Sequence, residues 1–200
     1  SGYTYYPVPV YDSNANKTVI VYRDGGNSNY GTAIVATVSS TAISYGSAVV
    51  FESAQTEHQT AAFDSANNKI VIAYADSGNS GYGTGIVGTV SGTSISFGSA
   101  VVFESASTAS EQMQSAFNVA AGKTVIGYAD AGNSEYGTYV EATVSGSSVS
   151  FSTPAVFESA TIARTPAFAA YDSSSKVVVF TYMDQGNSNA GTALAYRSAY

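Results

Sequence analysis

An aspartate opening the pattern D-x-G-N-S stands at Asp24, Asp76, Asp130 and Asp184, so the pattern recurs at intervals of 52, 54 and 54 residues. The flanking segments keep the same step. KTVIVY, KIVIAY, KTVIGY and KVVVFTY precede the aspartate, and GTAIVATVSS, GTGIVGTVSG, GTYVEATVSG and GTALAYRSAY follow it. Then ISYGSAVVFESA, ISFGSAVVFESA and VSFSTPAVFESA appear, with no fourth copy. A chain repeating at this interval must build like units that share a core, and the length of the repeat selects the architectures open to it.

Each repeat reads as four strands. The first is short and small-residued (PVPVYD, TAAFD, QSAFN, PAFAAYD). The second is almost wholly apolar, as expected of a strand covered on both faces. The third is rich in Val, Ile and Thr. The fourth carries V-F-E-S. V-S-G-T-S-I has the two-residue spacing and glycine of a tight hairpin between third and fourth strands, and D-S-A-N-N-K supplies turn-formers between first and second. No segment of ten residues has helical periodicity. These features predict an all-β chain, a β-propeller of four antiparallel four-stranded blades of about 50 residues each. The repeats are expected over 3–55, 56–108, 109–161 and 162–200, forming a single domain over 1–200. The fourth blade is expected to lack its outer strand, leaving an edge for oligomerisation or further blades to cover.

Composition narrows the partners. A net charge of −7 disfavours nucleic acid, which demands a basic face. No run approaches the roughly 18 apolar residues of a membrane span. Cysteine is absent, which excludes disulfides and thiolate metal sites. With 44% hydrophobic residues, 16 Tyr and 9 Phe, the chain has ample apolar surface for a core.

The D-x-G-N-S loop has two readings. In one, Asp accepts a backbone N–H two residues on, the glycine takes positive φ, and the loop is only a turn. In the other it binds a ligand: Asp24, Asn27 and Tyr30; Asp76, Asn79 and Tyr82; Asp130, Asn133 and Tyr136; and Asp184 with Asn187 present carboxylate, amide and ring to a sugar. With one carboxylate per loop, no cofactor is expected and any Ca²⁺ binding would be weak. The linkers between repeats (QTEHQT, STASEQMQS, TIARTP) vary most, and should share a face with these loops. His58 and Arg164 are the candidate binding residues there, beside Glu57, Glu111 and Met113. Repeated loops with individual linkers on one face form a recognition surface on a repeat scaffold. Catalysis has no comparable support. The one His lacks a repeated partner, no G-x-S-x-G elbow occurs, and Glu52, Glu104 and Glu158 read as charges guarding an outer edge.

The unit Y-x-D-x-G-N-S-x-Y-G-T…T-V-S-G-x-S-I-S-F-G-S…V-V-F-E-S-A resembles tandem repeats in structural and fibre-like proteins of marine bacteriophages and some environmental bacteria, over essentially the whole chain. That resemblance implies an extracellular or virion-surface role in attachment or assembly. In size the chain is also similar to four-bladed hemopexin-like propellers, without the disulfide typical of them. Together these readings give a non-enzymatic module recognising a surface glycan or receptor. The alternative is a purely structural module, completed by homo-oligomerisation or more blades.

Overall fold

The computed structural model describes residues 2–108 and 113–199, except the side chains of residues 163–167. Among the described residues the chain is all-β, 69% strand without an α-helix, in two antiparallel sheets, one of them nearly closed and barrel-like. The strands are β1 (Thr4–Asp12), β2 (Lys17–Asp24), β3 (Tyr30–Ser39), β4 (Ala42–Tyr45), β5 (Val49–Asp64), β6 (Lys69–Asp76), β7 (Tyr82–Ser91), β8 (Ser94–Phe97), β9 (Val101–Ser107), β10 (Gln114–Asn118), β11 (Lys123–Asp130), β12 (Tyr136–Ser145), β13 (Ser148–Phe151), β14 (Ala155–Asp172), β15 (Val177–Asp184) and β16 (Ala190–Tyr196).

The nine-stranded sheet follows the order β1-β2-β3-β5-β6-β7-β8, with β4 on β3 and β9 on β7; the seven-stranded sheet runs β10-β11-β12-β14-β15-β16, with β13 on β12. Both orders contain the repeat. In the first three units the third strand carries a fourth strand broken in two: β4 and the start of β5 on β3, β8 and β9 on β7, and β13 and the start of β14 on β12. β5 and β14 then continue without a loop and become the first strand of the next unit, which fuses two units into one sheet. The expected connectors QTEHQT and TIARTP are therefore strand. In QTEHQT a bulge between Glu57 and Thr60 absorbs the change of partner, and His58 takes a positive φ of 51° there.

Local chemistry sets the turns. Hairpins of two residues join Ser39 to Ala42, Ser91 to Ser94 and Ser145 to Ser148, with positive φ at Ser40, Gly92 and Gly146. At the other turn, Asp12, Asp64, Asn118 and Asp172 each accept backbone N–H groups two and three residues on.

The core lies between units. Val19, Val21, Val35 and Phe51 of the first unit pack on Ile70, Ile72, Tyr74 and Ile95 of the second. Val71, Val87 and Phe103 of the second meet Ile126, Tyr128, Val140 and Val149 of the third. Alternate residues of β6 and β11 thus serve opposite neighbours, which is why those strands lack a polar face. One contact recurs at all three junctions. The phenylalanine of V-F-E-S lies 5.2–5.3 Å from a tyrosine ring of the following unit (Phe51–Tyr74, Phe103–Tyr128, Phe157–Tyr182). The adjacent glutamate accepts that tyrosine's hydroxyl at 3.0–3.1 Å (Glu52, Glu104, Glu158). These glutamates are fasteners between units, not edge charges. Burial, followed by the glutamate's charge and hydrogen bond, holds Tyr74 and Tyr128 protonated well above the usual tyrosine range.

Candidate binding site

The D-x-G-N-S loops are short turns built on local bonds. Oδ1 of Asp24, Asp76 and Asp130 accepts the N–H of Gly26, Gly78 and Gly132 at 2.9 Å, and Asp184 accepts that of Asn187 at 3.2 Å. In the last three copies the next three residues make one turn of 3₁₀-helix, closed by Ser80, Ser134 or Ser188 in the left-handed region. Positive φ falls on these serines and on Ser28, not on the glycines. The glycines are needed for close packing. A Cβ on Gly78, Gly132 or Gly186 would stand 2.5–2.6 Å from the Cβ of Ala54, Ala106 or Ala160, the alanine of the preceding F-E-S-A. At Gly26 the neighbour is Gly2, so the N-terminal residues fill that place in the first unit.

The candidate loop residues therefore divide. Asp24, Asp76, Asp130 and Asp184 are engaged with backbone. Asn27, Asn79, Asn133 and Asn187 are exposed at the turn tips, and Tyr30, Tyr82 and Tyr136 are half-buried at the start of the third strands. No group of three His, Cys, Asp or Glu able to hold a metal ion occurs among the described residues.

The starts of the linkers do lie beside these turns. Thr56, Thr108 and Ile162 donate their N–H groups to the carbonyls of Asn29, Gly81 and Glu135, at 3.2, 2.9 and 3.1 Å. His58 stands against Tyr6, ring centroids 5.0 Å apart, and its Nε2 is 3.8 Å from Glu57. Arg23 pairs with Glu57 at 3.4 Å and stacks over Tyr5 and Tyr6 at 4.3 and 5.1 Å. His58 is thus part of a partly buried charge-and-ring cluster joining the first two units. The side chain of Arg164, and all of Glu111, lie outside the described residues.

Sequence reading missed a concavity near this rim. First strands from all four units line one cavity of about 450 Å³. Val8, Thr60, Gln114 and Phe168 line it and pair with Val21, Ala73, Gly127 and Thr181, in each case the residue three before the turn aspartate. They hold one position of the repeat, and it differs in every copy: apolar, hydroxyl, amide, aromatic. Their followers Pro9, Ala61, Ser115 and Ala169 also line the cavity. Thr60 and Ser115 share a hydrogen bond of 2.8 Å. Gln114 is 3% exposed, and neither of its amide atoms has a hydrogen-bond partner. Phe168 is 67% exposed. The available signal was variation at a fixed strand position among near-identical repeats.

No helix among the described residues is long and apolar enough to cross a membrane. No protein-family model matches the chain, and no curated protein sequence matches it either.

Proposed function

We propose that the chain is a four-bladed β-propeller and a non-enzymatic binding module. Its ligand is a neutral glycan at a cell or virion surface, taken at the mouth of the cavity between the first strands. One observation carries this reading. Four units built on one repeat differ in every copy at a register position that lines the shared cavity, as expected where a repeat scaffold presents a site. A volume of about 450 Å³ falls within the range of small-ligand pockets. Hydroxyls from Thr60 and Ser115 and the amide of Gln114 match sugar hydroxyls, and exposed Phe168 offers a ring face for stacking. Among the described residues the cavity lining is apolar, hydroxyl and amide, which suits an uncharged ligand. Exposed Asn27, Asn79, Asn133 and Asn187 extend the surface around the rim.

A glycan array followed by calorimetric titration tests this. Binding of a neutral oligosaccharide is expected, weakened about tenfold or more by Gln114→Ala and by Phe168→Ala and less by Tyr82→Ala at the rim. Failure of every glycan to bind would end the lectin reading. A second reading, a structural or assembly module of an extracellular or virion appendage, is favoured by the edge of β16, which among the described residues pairs with β15 alone.

A further inference from the structure

Three of the four third strands carry a segment V-F-E-S along their outer side, in the same register. Gly31 pairs with Glu52, Thr32 with Val50 and Ala33 with Val49, and the pairs recur at Gly83–Glu104 and Gly137–Glu158. In each case the phenylalanine ring covers the glycine. A Cβ on Gly31, Gly83 or Gly137 would stand 2.5–2.7 Å from Phe51, Phe103 or Phe157. β16 repeats the receiving sequence as Gly191-Thr192-Ala193, identical to Gly31-Thr32-Ala33. Among the described residues it pairs with β15 alone, and its residues alternate half-buried and exposed. A Cβ on Gly191 would have no atom within 4 Å. In its place is a hollow of about 460 Å³, lined by Thr181, Met183, Gly191 and Ala193 among others.

We infer that the free edge of β16 is a strand-acceptor site for an extended polypeptide segment of pattern V-F-E-S, delivered from outside the four units. The segment would lie antiparallel to Ala190–Ala193, bonded through the main chain, with its phenylalanine seated over Gly191. This is strand addition in which backbone pairing supplies affinity and one side-chain socket supplies selectivity. The three filled sockets specify the occupant's chemistry.

The structure also limits how much strand is accepted. Gly46 and Gly98, in the breaks of the first two outer strands, lie under the next unit's hairpin, where a Cβ would be 1.8 Å from the carbonyl oxygen of Thr93 or Ser147. The third break has Ser152 instead, and its hydroxyl accepts the N–H of Glu141. After Tyr196 the chain turns inward, and Ser198 is buried with its hydroxyl accepting from Asn118. The hairpin half of an outer strand is therefore excluded, and the site takes the V-F-E-S half alone. This inference is independent of the glycan reading.

The test is titration of the intact chain into a fluorescein-labelled peptide S-A-V-V-F-E-S-A, followed by fluorescence anisotropy. Saturable one-to-one binding is expected. Replacing the peptide's phenylalanine by alanine, or introducing Gly191→Leu in the protein, should each weaken it about tenfold or more. The Gly191 variant has open space for its side chain, and an unchanged circular dichroism spectrum would show that it folds. Hydrogen exchange should show new protection at Gly191 and Ala193 when peptide is bound. No binding, binding indifferent to both changes, or protection elsewhere would overturn the inference. So would a dimer formed without peptide through paired β16 edges.

Discussion

Ile95 and Ile43 occupy the same position in successive units, yet Ile95 is 3% exposed and Ile43 55%. Tyr45 is 58% exposed, whereas its counterparts Phe97 and Phe151 pack on Phe51 and Phe103 at 5.7 and 5.1 Å. The middle of the molecule and its first face are thus made of the same residues in different surroundings. Burial in this fold belongs to the junction between units, and a unit by itself has two apolar faces and little core. Such a chain gains its stability from neighbour contacts more than from within each repeat. The far face differs again. Thr181 stands where Val21 stands in the first unit, and Ala195 where Val35 does. The fourth unit has substituted away much of the apolar surface its predecessors turn toward the next one.

This contrast can be broken by experiment. The largest effect is expected at Phe103, which contacts both Tyr128 and Phe151. Phe103→Ala should cost about 3–5 kcal/mol in urea denaturation. A loss under about 1 kcal/mol would mean the junctions are not where the stability resides. Next is the paired test at equivalent isoleucines. Ile95→Ala should cost about 2–5 kcal/mol, while Ile43→Ala stays within about 0.5 kcal/mol. Equal effects would show that the first face is covered in solution.

A smaller effect is expected from the fasteners. Tyr128→Phe leaves the ring packing and removes the hydroxyl from Glu104, costing about 1.5–3 kcal/mol. It also carries a pH signature. An unfolded tyrosine ionises near pH 10, whereas burial and Glu104 keep Tyr128 protonated well above that. Its stabilisation is complete below about pH 10 and declines as pH rises further, because only the unfolded state then releases the proton. Tyr182, pushed up to about 12 by burial, then by its hydrogen bond to Glu158 and that carboxylate's charge, loses its share between about pH 10 and 12. Denaturation midpoints across this range should fall more steeply for the parent chain than for the Tyr128→Phe variant. Parallel curves would remove the fastener role.

Much of the fold was legible because it is set by local chemistry that recurs. The aspartates at 24, 76, 130 and 184, the two-residue hairpins at Gly92 and Gly146, and the apolar second strands each announce themselves within a few residues. What stayed hidden depends on contacts far apart in sequence. Glu104 reads as an edge charge until Tyr128 is placed beside it. Gly78 reads as a turn glycine until Ala54 is seen against it, and the true positive φ falls on Ser80. The connectors read as loops because QTEHQT is polar. Yet Thr56 and Gln59 are fully buried; Gln59 donates its side-chain amide to the carbonyls of Tyr5 and Tyr6, and Thr56 bonds the neighbouring turn through its backbone N–H. The cavity position was visible as variation, but only register shows that Val8, Thr60, Gln114 and Phe168 are equivalent.

The arrangement of the four units around one cavity is tested most directly by distances between the turn tips. The chain has no cysteine, so pairs introduced at Asn27, Asn79, Asn133 and Asn187, all exposed, can be spin-labelled without background. Pulsed electron resonance on three pairs, 27–79, 27–133 and 27–187, decides between a ring and a row. A ring predicts that 27–187 is no longer than 27–133. Distances that grow in equal steps along the series would contradict it.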